Sequence, residues 1–170
     1  LKEAGVEVEV VPGITAALAG AASLQQSLTL RGISRSVAFI TLAQATESTD
    51  GEAGQTVLPI TNPSADTLVY YMGRKDASKI AQQLIAQSPN QTAHTPVHIL
   101  EAVSTVRERL WSSTLGELAQ GKADLWFDGS SPALIMVGQA LQDKNLERTS
   151  SKIDDRLQDS LIFSNSKRSA

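Results

Sequence analysis

Val6, Val8 and Val10 alternate with Glu7 and Glu9, the two-residue period of a half-buried strand, and Pro12-Gly13 ends that run. Residues 14–24 are rich in alanine and favour a helix. "SVAFITLA", 36–43, is a compact apolar run suited to a buried strand, and "DTLVYYMG", 66–73, is a second one closed by glycine. Residues 76–87 carry the clearest helical pattern: Ile80, Ala81, Leu84 and Ile85 form one apolar stripe, with Asp76 placed to cap it. "PVHILE", 96–101, predicts a strand; "RERLWSSTL", 107–115, a weaker one; and "GELAQGK", 116–122, a short helix. "SPALIMVGQAL", 131–141, reads as a buried strand stopped near Gly138. Polar segments at 44–65 and 88–95 read as loops. Strands and helices alternate over short links, which predicts an α/β domain of three layers. From about residue 143 the chain turns polar and charged, with Ile153, Leu157 and Leu161 spaced four apart. One amphipathic helix and disorder are both open readings there.

Composition narrows the chemistry. A chain of 170 residues with 41% apolar content can bury a real core. Its formal charge of -3 gives no reason to expect nucleic acid as a partner. With no cysteine, disulfide scaffolds, thiolate catalysis and cysteine metal sites are excluded together, and two histidines, His94 and His98, make a histidine metal site improbable. No apolar run approaches the roughly 20 residues that span a bilayer, so no membrane is expected. The opening "LKEAG" reads as the last turn of a helix ending at Gly5, so the chain is expected to be a fragment that begins inside a longer structure.

Strong local motifs are missing: no phosphate loop, GxGxxG, GxSxG elbow or HExxH occurs. Asn90-Gln91-Thr92 matches a glycosylation sequon and is read as chance. His98 lies in a strand and is read as structural, and Glu101, at a strand end, as a solvated or capping carboxylate. Between Glu9 and Glu47 the charged residues are Arg31 and Arg35 alone. That acid-free segment could grip carboxylates in bidentate fashion, or it could carry two solvated loop arginines. Gly13, Thr15, Ala16 and Ala17 pose a similar choice. Small residues at a strand-to-helix turn allow a flat ligand to approach the backbone, and they equally allow tight helix-on-sheet packing.

Five stretches carry a resemblance: "VEVVPGITAALAGAA", "LTLRGISRSVAFIT", "DTLVYYMG", "EAVSTVRERLWSSTLGELA" and "SPALIMVG". Over residues 1–141 their order and rough spacing are similar to those of uroporphyrinogen-III C-methyltransferases, in the tetrapyrrole methylase family. The resemblance implies two α/β domains, a mixed sheet flanked by helices, and S-adenosylmethionine (SAM) in the cleft between the domains. Residues 1–30 would be the end of the first domain and the connection, 31–142 the second domain, and 143–170 a polar tail. The family's SAM contacts fall on Thr15, Ala16, Met72, Val103 and Ala133. Arg31 and Arg35 become candidates for the substrate carboxylates. No catalytic residue and no metal ligand is assigned in this chain.

The implied reaction is C-methylation of uroporphyrinogen III to precorrin-2, on the route to sirohaem or cobalamin. It would give S-adenosylhomocysteine and be carried out by a cytoplasmic homodimer, with the fragment inactive alone. Departures from the family pattern weaken the substrate assignment more than the fold. Thr29-Leu30-Arg31 and Thr41-Leu42-Ala43 lack the family's histidines, Ala102-Val103 replaces Asn and a small residue, and the loop at 44–65 is longer. A precorrin methyltransferase of the same fold, and a catalytically silent binding or dimerisation module, are the alternatives.

Overall fold

The computed structural model describes residues 2–41 and 63–142. After a short 3-10 turn at Lys2–Ala4, the elements run α1 (Ala16–Ser23), β1 (Val37–Thr41), β2 (Thr67–Tyr71), α2 (Ala77–Gln87), β3 (Pro96–Glu101), β4 (Arg109–Thr114), α3 (Leu115–Ala119) and β5 (Ala133–Gly138). The five strands form one mixed sheet in the order β1-β2-β5-β3-β4; β1 runs parallel to β2 and the other pairs are antiparallel. The loop 44–65 lies outside the described residues except for its last three positions, and the tail from 143 lies wholly outside them.

Alternation along the strands divides the sheet into two faces. Leu68, Tyr70, Val97, Ile99, Ile135 and Val137 point to one face and pack with Ile80, Leu84, Leu115 and Leu118 of α2 and α3. Val69, Leu100, Leu134 and Met136 point to the other, where they meet Ala17 of α1 and Leu28. Three layers result, as the alternation of elements predicts. Each fully buried large aliphatic contributes roughly 1.5–3 kcal/mol, and among the described residues the face under α2 and α3 holds the larger cluster of them.

Two glycines are required by close approach. A Cβ on Gly20 would lie 3.0 Å from both Leu134 Cδ2 and Met136 Sδ, so α1 sits on β5 because that position is bare. Gly138 has φ +153°, and a Cβ there would meet the Asp66 carbonyl at 2.8 Å.

Several elements differ from expectation. Residues 6–10 form no strand: among the described residues nothing pairs with them, and Val10 is 85% exposed. Alternation marks a chain that could be a strand, but a ladder needs a partner. The helix at 14–24 begins at Ala16, because the Thr15 side chain caps it by accepting from the Ala17 amide. Asp76 makes no side-chain cap; a 3-10 turn, Arg74–Asp76, leads into α2 instead. The strand at 66–73 stops at Tyr71 because Met72 turns left-handed at φ 55°. β5, by contrast, ends at Gly138 as expected, and Gln139–Leu141 is a 3-10 turn.

Candidate functional site

The C-terminal ends of β2 and β3 flank the start of β5, with Tyr71 and Leu100 both opposite Leu134. A crevice of about 550 Å³ opens at this end of the sheet, on the side that α1 covers. Its volume lies within the roughly 300–1,000 Å³ range of small-molecule sites. Ala16, Met72, Val103 and Ala133 all line it, together with Leu100, Pro132 and Leu134. Thr15 stands beside it: its hydroxyl hydrogen-bonds that of Tyr71, which lines the crevice, and the Tyr71 hydroxyl lies 3.3 Å from the Ala17 amide. The small helix-start residues thus serve two purposes. Gly20 gives packing clearance against β5, while Ala16 leaves the mouth open.

Arg31 and Arg35 are not brought to the crevice. Both are exposed, on either side of the small bridge between Leu30 and Ser34. The Arg35 amide donates to Asp66 Oδ2 at 2.8 Å, and Ser34 hydrogen-bonds Thr67, so this segment sits at the opposite end of β2. With Ser36 also donating to it, Asp66 is held below the usual carboxylate range, chiefly by the Arg35 amide.

Backbone strain gathers at the crevice. Met72, Ala102 and Ser104 occupy the left-handed region at φ 55°, 48° and 64°. Each such residue costs on the order of 1–3 kcal/mol and persists only where its surroundings enforce it. At the 102–108 loop the enforcement is visible. The Thr105 amide and hydroxyl both donate to the Ala102 carbonyl, and the Ser104 amide donates to Glu108 Oε2 at 2.6 Å. The Ser23 hydroxyl at the end of α1 donates to Glu108 Oε1, and these two donors hold the Glu108 carboxyl below its usual range, Ser23 first.

The opposing wall, residues 128–132, is held as firmly. Arg74 donates to the carbonyls of Asp128, Gly129 (2.9 Å) and Ser131 (3.1 Å). The Asp128 carboxylate accepts from the Ser130 amide and hydroxyl and from the Ser131 hydroxyl, which lowers its pKa to about 2. Behind the wall Glu101 is fully buried, contrary to the solvated or capping role expected for it. Its Oε1 accepts from the Asp128 amide at 2.8 Å, and its Oε2 stands 3.5 Å from Arg109 Nη1, an ion pair too long for a good hydrogen bond. Arg109 in turn lies 4.5 Å over the Trp126 ring. The Ala102 amide donates to the Pro132 carbonyl at 3.0 Å and ties the two walls together.

His98 is structural. Its Nε2 is 2.8 Å from the Leu141 carbonyl, which can only accept, so Nε2 carries a proton, while Nδ1 pairs with Ser112 Oγ at 2.8 Å. No cluster of three or more metal-ligating side chains occurs among the described residues. Tyr71, Arg74, Lys75, Thr105 and Arg107 line the crevice without having been singled out from the sequence. Tyr71 and Arg74 flank Met72-Gly73, so their neighbourhood to an assigned residue was the available signal.

Fold and crevice together define an α/β domain with an apolar crevice at its strand ends, of a volume that suits a small molecule. Residues 1–119 match the family Tetrapyrrole (Corrin/Porphyrin) Methylases, and the chain belongs to that family. A uroporphyrinogen-III C-methyltransferase of Pseudomonas fluorescens is 39% identical over 138 residues, covering 81% of this chain and 52% of its own length. A siroheme synthase of Stutzerimonas stutzeri (strain A1501) is 38% identical over 138 residues, 81% of this chain and 28% of its own. The crystal structure of a Thermus thermophilus uroporphyrin-III C-methyl transferase complexed with S-adenyl homocysteine aligns with TM-score 0.62 at 29% identity, covering 84% of this chain and 55% of the other. The chain therefore spans about half the length of the first of these relatives, and less of the second.

Proposed function

We propose that this chain supplies the cofactor-holding half of a SAM-dependent uroporphyrinogen-III C-methyltransferase, producing precorrin-2 for sirohaem or cobalamin. The observation that carries the proposal is the convergence of Ala16, Met72, Val103 and Ala133 on one apolar crevice. Leu100, Val103, Ala133 and Leu134 offer a flat apolar slot for the adenine, and the left-handed turns at Met72 and Ala102 shape its rim. Thr15 and Tyr71 fix the start of α1 beside that slot.

When bound, SAM supplies an electrophilic methyl whose leaving group is a neutral thioether. No carboxylate or imidazole lines the crevice among the described residues, so the side chains there bind and orient rather than shuttle protons. For the substrate carboxylates, Arg31 and Arg35 remain candidates on charge pattern alone; an unchanged tetrapyrrole KM in Arg31→Ala and Arg35→Ala would remove them. The division near residue 30, a homodimer and a cytoplasmic setting belong to the same proposal. Exposed Val10, Val11 and Ile14 support a partner surface of some kind.

Calorimetric titration of the full-length protein with S-adenosylhomocysteine is the test. Binding at submillimolar concentration is expected, followed by methyl transfer to uroporphyrinogen III. Absence of binding would favour the silent module, and turnover only with a precorrin would move the substrate within the family.

A further inference from the structure

Among the described residues the crevice is lined by three cations, Arg74, Lys75 and Arg107, and by no carboxylate, although acidic residues outnumber basic ones in the chain, 18 to 15. The three cations are not equivalent. Arg74 is committed, with its guanidinium bound to three carbonyls of the 128–131 wall. Lys75 and Arg107 are exposed, and their side chains make no hydrogen bond or ion pair to any described residue. Lys75 follows β2 and Arg107 follows β3, and β5 runs between those strands. The two uncommitted charges therefore flank the mouth from opposite sides of an apolar floor.

We infer that Lys75 and Arg107 are specificity-determining residues that grip carboxylate arms of the substrate while its ring body lies across the crevice mouth. The inference rests on the methyltransferase reading for the identity of the ligand, a tetrapyrrole ringed by acetate and propionate arms. Arginine suits a bidentate grip and lysine a mobile point charge, and a pair flanking an apolar surface matches a flat ring with anionic edges. Arg74 is excluded from this role because releasing it would strip three carbonyls of their partner.

The test uses the full-length protein and three variants: Lys75→Gln, Arg107→Gln and the double variant. Uroporphyrin III, coproporphyrin III (in which the acetate arms are methyl groups) and S-adenosylhomocysteine are titrated in turn, with melting temperature as the control for folding. Each single variant is expected to lose on the order of tenfold in uroporphyrin affinity and the double variant more, while S-adenosylhomocysteine affinity stays within about twofold. Preference for uroporphyrin over coproporphyrin should shrink in the double variant. Unchanged uroporphyrin affinity would overturn the inference. So would a parallel loss of S-adenosylhomocysteine, which would give these charges to the cofactor's own carboxylate, or failure of the unaltered protein to bind uroporphyrin. If uroporphyrin binding depends on both cations but S-adenosylhomocysteine never binds, the inference stands and the methyl-donor reading falls.

Discussion

The two faces of the sheet are built from the same strands and do opposite things. Under α2 and α3, Leu68, Tyr70, Ile99 and Ile135 interlock with Ile80, Leu84, Leu115 and Leu118 into a closed core. On the other face Val69, Leu100, Leu134 and Met136 meet a helix of alanine, glycine, one leucine and a final serine. Alanine fills little volume, so that face closes over Ala17 and Gly20 and stays open at Ala16. A crevice here is the consequence of covering one face with large side chains and the other with small ones.

That contrast can be broken or sharpened experimentally. The largest effect is expected from Leu84→Ala in the closed face: a loss of about 3 kcal/mol in urea unfolding, with S-adenosylhomocysteine affinity of the folded protein unchanged. A loss of affinity of the same size would mean the faces are not independent. Ala133→Trp, on the open face, should do the reverse. Filling the slot is expected to weaken S-adenosylhomocysteine at least about 30-fold, roughly 2 kcal/mol, with little change in the unfolding midpoint.

Arg74→Met comes next. Three carbonyls lose their donor, so the wall loosens; about tenfold weaker binding and faster amide exchange at 128–132 are expected, with Arg74→Lys recovering part of both. Protection unchanged in Arg74→Met would show that Glu101 and Asp128 hold the wall without it.

The smallest effect concerns acid. The folded pKa of Asp128 is about 2 against an ordinary 3.8, because the ionised form accepts from Ser130 and Ser131. A depressed carboxyl stabilises the fold above its unfolded pKa, and that contribution fades as pH falls from 3.8 through about 2. Protection of the Ser130 amide, relative to its intrinsic exchange rate at each pH, should fall as pH drops across that window, and Asp128→Asn should flatten the dependence.

Much of the fold was legible because periodicity reports burial directly. The stripe Ile80, Ala81, Leu84 is buried in α2, and the apolar runs at 67–71, 96–101 and 133–138 became the three central strands. Residues 6–10 show the limit of that signal: their alternation is as clean, yet no described strand pairs with them. Glu101 shows another limit. A carboxylate at a strand end reads as solvated until the fold brings the Asp128 amide and Arg109 to it.

The linear order of residues determined most of the strands and helices and which of their faces are apolar, because those tendencies depend on neighbours within a turn or two. It also carried the family resemblance, since five short stretches in order survive without reference to space. The meeting of β2, β3 and β5 at one end was decided only by the tertiary structure. So was the distance of Arg31 and Arg35 from that end, and the difference between the spent cation Arg74 and Lys75 and Arg107, whose side chains have no partner among the described residues. These depend on pairs far apart in the chain, whose approach is settled by strand pairing and the packing of both faces, not by local pattern.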